Sequence, residues 1–161
     1  MSESITICNA EVVLPGGIQR TDVVVQDGRI AAIGSGLPDT GGVINAEGLT
    51  LLPGVIDPQV HFREPGATHK EDLHSGSMAA AAGGVTAFLD MPNNKPAVIT
   101  RSRMAEKKAR AAEQCVVHYG FFMGATPDNL EELNAVENVC GIKVFMGAST
   151  GDLLVDDPVA L

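Results

Sequence analysis

The chain has 161 residues, of which 45% are hydrophobic, so it carries enough apolar material for a sizeable core and is expected to be globular. Its 20 acidic residues outnumber its 11 basic residues, and the resulting net charge of -9 disfavours nucleic acid or an anionic membrane as a partner. No apolar run approaches about 18 residues, so no membrane span is predicted. A small-molecule substrate is the better expectation.

The cysteines indicate a reducing compartment. Cys8, Cys115 and Cys140 lie far apart and form no C-x-x-C pair, so neither a disulfide framework nor a zinc knuckle is predicted. The first residues lack the basic segment and apolar core of an export signal. We therefore expect a cytoplasmic protein.

The first 50 residues predict a small β-rich domain. Short β-rich runs between residues 4 and 34 are joined by tight turns, and Asp27-Gly28 is a strong hairpin signal because both central positions of a type I′ turn need positive φ. A loop-rich stretch, residues 34–48, ends this domain.

From residue 49 onward, strands alternate with helices. Thr68 and Glu71 match a capping box, and Thr126 followed by Pro127 predicts another helix start. The predicted strands cover residues 49–62, 84–91, 115–122 and 141–147, and the predicted helices cover 68–83, 100–114 and 126–138.

This alternation predicts a parallel sheet with helical crossovers. A doubly wound sheet and part of a (β/α)8 barrel both fit, although no G-x-G-x-x-G follows the first strand to support dinucleotide binding. Gly83-Gly84 follows a helix and is interpreted as its C-cap and the entry to the next strand. Because a complete barrel needs about 250 residues, residues 51–161 are expected to be its first part in a longer protein.

In either architecture the functional residues lie at the C-terminal ends of the strands. That rule selects Gln59, His61 and Arg63 after the first barrel strand, Asn93 after the second and Lys143 in the fourth. Strand alternation would place the first three on one face, where a His-x-His metal pair is the natural comparison, with Gln59 at its first position.

Each of these residues also has a structural explanation. His61 could be a hydrogen-bonded core histidine, and Arg63 could form an exposed ion pair with Glu64 rather than bind a carboxylate through its planar fork. Lys143 lies in an apolar strand, where an unpaired ammonium is disfavoured. A neutral amine there could react with carbon dioxide to give a metal-bridging carbamate, or the lysine could be paired or reach the strand end.

Other polar residues carry less weight. His69 and His74 lie in or beside a predicted helix, and His118 falls early in its strand. The basic run from Lys107 to Arg110 is interpreted as a solvated helix face. The sequence contains no G-x-S-x-G elbow, Walker loop or Cys/His nucleophile pattern.

Three segments, LLPGVIDPQVHFREPGATHKEDL, GGVTAFLDMPNNKPAV and GIKVFMGASTGDLLVDD, closely resemble the dihydroorotases of the amidohydrolase superfamily. The resemblance implies the N-terminal part of a (β/α)8 barrel preceded by a small β-sandwich segment. It also implies a hydrolase with two zinc ions, in which activated water opens dihydroorotate to N-carbamoyl-aspartate in pyrimidine synthesis.

By this resemblance His61 is a zinc ligand, Arg63 and Asn93 hold the substrate carboxylate, and Lys143 is the carboxylated lysine that bridges the metals. Gln59 departs from the histidine of most members and would be a weaker ligand. Since further ligands would lie beyond the last residue, the chain alone is expected to be inactive.

Two alternatives stay open at this point. One is another cyclic amidohydrolase, of the hydantoinase or allantoinase type, which has less use for Arg63. The other is a non-catalytic scaffold for aspartate transcarbamoylase, suggested by Gln59. Association with that enzyme, or with further copies of this chain, is the partner expectation.

Overall fold

A computed structural model describes residues 4–39, 41–147 and 153–159. The chain divides into two compact units, Met1–Pro53 and Gly54–Leu161. In the described part of the chain, no helix has both the length and the apolar character needed to cross a membrane.

The first unit is a five-stranded sheet. Its strands are β1 (Ser4–Leu14), β2 (Gly17–Gln26), β3 (Arg29–Gly34), β4 (Gly42–Asn45) and β5 (Thr50–Leu51). They follow the order β3-β2-β1-β4, with β5 also pairing with β1. A small apolar cluster of Ala10, Val12, Val23 and Ala46 forms its core.

The predicted hairpin turn between β2 and β3 is confirmed. Asp27 has φ 50° and Gly28 has φ 73°, the two positive values that a type I′ turn requires. The predicted strand over residues 49–62 is wrong in its first part, because Thr50–Leu51 pairs with β1 in this first sheet.

The second unit is a four-stranded parallel sheet with helical crossovers. Its elements are β6 (Val55–Val60), α1 (Leu73–Ala82), β7 (Val85–Asp90), α2 (Arg101–Gln114), β8 (His118–Gly124), α3 (Leu130–Ala135) and β9 (Gly141–Lys143). The sheet order β6-β7-β8-β9 follows the chain. Its buried core includes Leu73 from α1, Phe88 from β7, Met104 from α2 and Phe121 from β8, so both helices pack on the sheet.

The predicted starts of two helices are wrong. Asp72, not Thr68, caps α1: its carboxylate accepts from Ser75 N at 2.6 Å, and the Ser75 side chain completes the capping box in place of Glu71. The Gly83 C-cap of the same helix is as predicted.

Helix α3 begins at Leu130 instead of directly after Thr126. Asn129 accepts from Thr126 N at 2.8 Å and donates to the carbonyls of Ile99 and Gly124, each at 2.9 Å. Asn129 therefore binds the end of β8 to the loop before α2, and the chain turns into the helix only after it.

The Asp72 cap predicts a specific pH dependence. The hydrogen bond from Ser75 N lowers the pKa of the Asp72 carboxyl below its usual value of 3.8. Its contribution to stability is therefore present above that value and is lost as the pH falls through the lowered pKa. Asp72→Asn keeps a neutral cap, so denaturation at pH 6 and pH 3 should show the wild type losing stability relative to this variant. An unchanged difference between the two pH values would contradict the cap's ionic character.

Candidate active site

A cleft of about 770 Å³ lies where the segments after β6 and β7 meet. Since the C-terminal ends of neighbouring parallel strands share one edge of the sheet, this is where the sequence placed its candidates. Arg63 and Asn93 both line the cleft. None of the described residues that line the cleft is acidic. Four further lining side chains are basic: His69, Lys70, Lys95 and Arg103. In a chain of net charge -9, this cleft is locally suited to an anionic group.

His61 and Asn93 are in direct contact. His61 directly follows β6, Asn93 lies three residues beyond β7, and His61 Nδ1 is 2.8 Å from Asn93 Oδ1. Because an amide oxygen can only accept, Nδ1 is the donor in this contact, and Nε2 is the ring nitrogen that would bind a metal. Metal-binding histidines commonly donate their second ring nitrogen in this way.

The expected face of Gln59, His61 and Arg63 is not one regular strand face. The register between β6 and β7 shifts between Asp57 and Val60, and β6 ends at Val60. Gln59 is exposed, and its backbone N–H donates to Asp57 Oδ1 at 3.0 Å. His61 and Arg63 therefore owe their positions to a loop rather than to strand alternation.

Lys143 ends β9 and is half-buried, less enclosed than the apolar strand predicted. Its Nζ lies 5.2 Å from the centroid of the Phe145 ring, a cation-π contact. Within the described ranges Lys143 makes no ion pair. None of Lys143, Gln59 and His61 is among the residues that line the cleft. Among all the described residues no three His, Cys, Asp or Glu side chains are close enough to hold a metal ion.

Glu64 does not pair with Arg63 on an exposed loop, as one alternative had it. The Glu64 side chain is buried and accepts from Leu73 N at 3.0 Å, while Arg110 Nη1 lies 3.4 Å from its other oxygen. Arg63 is exposed in the cleft. Glu64 thus fixes the loop after β6 to the start of α1 and to α2.

The prediction of a solvated basic face on α2 is wrong for Lys107. Its side chain is 0% exposed, and Nζ lies 2.7 Å from Asp90 Oδ2, whose side chain is also 0% exposed. Burial lowers the pKa of Lys107 and raises that of Asp90, and each partner opposes the shift of the other. Helical spacing could have indicated that Lys107 is buried. It lies three residues after Met104 and four before Ala111, which are both buried on the same face of α2.

The other histidines and Cys115 lie at different places in the second unit. His69 lines the cleft, although its place in or beside a predicted helix carried little weight as a sign of function. His74 Nδ1 lies 3.0 Å from the carbonyl of Gln114, and His118 is exposed at the start of β8. Burial raises the pKa of the Cys115 thiol to about 11, so this thiol is protonated and poorly nucleophilic at neutral pH.

Gly66, in the loop after β6, packs tightly against the loop after β7. It has φ 112°, and an added Cβ would clash with the Lys95 carbonyl oxygen. We expect Gly66→Ala to lower the free energy of unfolding by about 3 kcal/mol, because backbone strain and overpacking add. Gly84→Ala is the matched control, since Gly84 has φ 79° with no atom within 4 Å of an added Cβ. Equal losses in urea denaturation would mean that the Lys95 contact is unimportant.

A family model described as dihydro-orotase-like matches residues 48–147. Among curated proteins, the chain is 44% identical over 152 residues to an allantoinase from Solibacter usitatus, covering 92% of this chain and 33% of that protein. It is 38% identical over 153 residues to an allantoinase from Deinococcus radiodurans, covering 92% and 34%. The chain thus spans about a third of the length of these relatives.

Solved structures agree with these relatives. The L-hydantoinase (dihydropyrimidinase) from Arthrobacter aurescens matches with a TM-score of 0.84 and 30% identity, over 94% of this chain and 35% of its own. The dihydropyrimidinase from Brevibacillus agri matches with a TM-score of 0.78 and 32% identity, over 96% and 35%. These matches confirm the predicted fold class, the N-terminal part of a barrel protein preceded by a small sheet segment.

Proposed function

The chain belongs to the dihydro-orotase-like family, and from that premise we propose that it is the N-terminal part of a metal-dependent cyclic amide hydrolase of the allantoinase or hydantoinase type. The observation that carries the proposal is the 44% identity to an allantoinase over 92% of the chain. The sequence motifs alone favoured dihydroorotase, with a hydrolase of the allantoinase or hydantoinase type as the alternative. The relatives and solved structures support the alternative better.

In the proposed reaction, water adds to a ring carbonyl carbon, the ring C–N bond breaks, and the nitrogen leaves with a proton. The ring-opened product carries a new carboxylate. Arg63 and Asn93, which line the basic cleft, are suited to bind this anion or to orient the ring.

Of the described residues, His61 has the hydrogen-bonding pattern of a ligand for the zinc ions that this family implies. The hydrogen bond to Asn93 leaves His61 Nε2 able to bind a metal. Lys143, at the end of β9, would hold the metals as a carbamate, formed when its neutral amine adds to carbon dioxide and loses a proton. When bound, zinc supplies Lewis-acid polarisation of the carbonyl and activation of water. Gln59, exposed beside Asp57, would be at most a weaker ligand.

Dihydroorotase is the second candidate, and the observation in its favour is that Arg63 and Asn93 line one cleft together with further cations. Dihydroorotate differs from allantoin and hydantoin in its ring carboxylate, for which such a cleft is suited. Association with aspartate transcarbamoylase, or between copies of the chain, stays a prediction.

A substrate panel on the full-length protein separates these functions. We expect zinc-loaded protein to open allantoin or hydantoin with a higher kcat/KM than dihydroorotate. Turnover of dihydroorotate alone would favour the second candidate, and no turnover of any ring, dihydrouracil included, would refute the proposal. Arg63→Gln, compared with Lys70→Gln in the same cleft, tests whether any preference for an anionic ring depends on Arg63.

A further inference from the structure

The buried ion pair of Asp90 and Lys107 is connected to both loops that carry the candidate site residues. Asp90 Oδ1 accepts from Phe62 N at 3.0 Å, and Phe62 lies between His61 and Arg63. Lys107 Nζ donates to the Met91 carbonyl at 3.3 Å, at the start of the loop that carries Asn93. The pair is thus bonded to the backbone one residue from His61 and Arg63 and two residues from Asn93.

Asn94 extends this network. Its Oδ1 accepts from Lys107 Nζ at 2.7 Å, and its Nδ2 donates to the carbonyls of Phe62 at 3.1 Å and Glu64 at 2.9 Å. The N–H and C=O groups of Phe62 are therefore both held from the interior. The loop over residues 62–64 has little freedom to shift relative to β7 and α2.

Core stability alone does not explain a charged pair in this place. Removing two charges from water offsets much of their mutual attraction, and apolar residues of similar volume are often as stable or more stable. What an apolar pair cannot supply is a hydrogen-bond acceptor for Phe62 N. That acceptor fixes the backbone beside His61, whose ring contacts Asn93.

We propose that Asp90, Lys107 and Asn94 are positioning residues, which hold the loops of His61, Arg63 and Asn93 in the geometry that the active site uses. None of the three is proposed to touch a reacting atom. The test by kcat/KM rests on the proposed function, whereas the test by hydrogen exchange does not.

Two double variants of the full-length protein test the proposal. Asp90→Leu/Lys107→Met and Asp90→Asn/Lys107→Met both remove the charges and keep similar volume, but only the asparagine retains an acceptor for Phe62 N. Hydrogen-exchange mass spectrometry of metal-free protein should show faster exchange over residues 61–64 in the leucine variant only, with β1 as an internal control. On the substrate identified by the panel, kcat/KM should be at least about tenfold lower in the leucine variant than in the asparagine variant.

Equal exchange over residues 61–64 and equal kcat/KM in the two double variants would overturn the proposal. If either variant fails to fold, Asn94→Ala replaces it, because this change leaves the ion pair in place and removes both bonds from Asn94 Nδ2. It should also raise exchange over residues 61–64, and unchanged exchange and kcat/KM would count against the proposal. If the wild type opens no ring, the proposed function fails while the exchange result still decides on positioning.

Discussion

Replacing Lys107 with methionine is expected to lower the free energy of unfolding by about 3–5 kcal/mol, because the Asp90 carboxylate is left buried without its cation. Both side chains are 0% exposed, so water cannot take the place of the lost partner. Urea denaturation of the full-length protein measures the loss. Lys108→Met is the control, since Lys108 donates to the Glu137 carbonyl in an exposed contact.

This loss should depend on pH in a defined direction. Burial already raises the pKa of Asp90 and Lys107 opposes that shift, so removing Lys107 raises the pKa further. A carboxyl whose pKa is raised by folding contributes stability at low pH and loses it as the pH rises through the raised value. The cost of Lys107→Met should therefore be smaller at pH 4 than at pH 8. Equal stability of the Lys107 and Lys108 variants at both pH values would contradict a buried charge pair.

The second large effect is expected at the proposed metal ligand. His61→Ala should lower zinc content and reduce kcat/KM at least about 100-fold, because loss of an outer-shell partner alone costs about 10–100-fold. Elemental analysis and ring hydrolysis by the full-length protein measure the two effects. The structural basis is the Nδ1 contact with Asn93, which fixes the ring with Nε2 able to bind metal.

Two comparisons make this result specific. Asn93→Ala leaves His61 in place but removes its 2.8 Å contact, so we expect an intermediate loss of zinc affinity. His118→Ala changes an exposed histidine at the start of β8 and should retain zinc. Full zinc content in the His61 variant would remove this residue from the proposed ligand set.

Local signals were sufficient where the backbone geometry is local. Asp27-Gly28 forms its predicted turn because few other residue pairs tolerate two positive φ values, and Gly83 ends α1 as predicted. The alternation of strands and helices likewise placed Asn93 and Arg63 at one sheet edge, since parallel strands end on the same side.

Local signals failed where two local caps competed, or where a distant side chain made the decisive contact. At α1, Asp72 with Ser75 forms the capping box instead of Thr68 with Glu71, and Glu64 accepts from Leu73 N just after this cap. Asn129 likewise delays α3 by bonding to Ile99 and Gly124. Lys107 looked solvated within its basic run, because Asp90, the carboxylate that pairs with it, lies on β7 and not on α2.

The identity of the substrate could not be predicted from the sequence motifs for a chemical reason. Hydrolysis of any cyclic amide produces a carboxylate, so residues suited to carboxylates, such as Arg63, need not specify a carboxylate on the ring itself. This explains how motifs that suggested dihydroorotase accompany relatives named allantoinase.

The Asp90–Lys107 pair also constrains how this sequence can change over generations. Either substitution alone leaves an unmatched buried charge, whereas apolar replacement of both can be nearly neutral in stability. Most one-step mutational routes away from the pair therefore pass through a poorly folded intermediate. Divergent lineages should consequently keep both residues or exchange them together, and aligned relatives should show the two positions covarying.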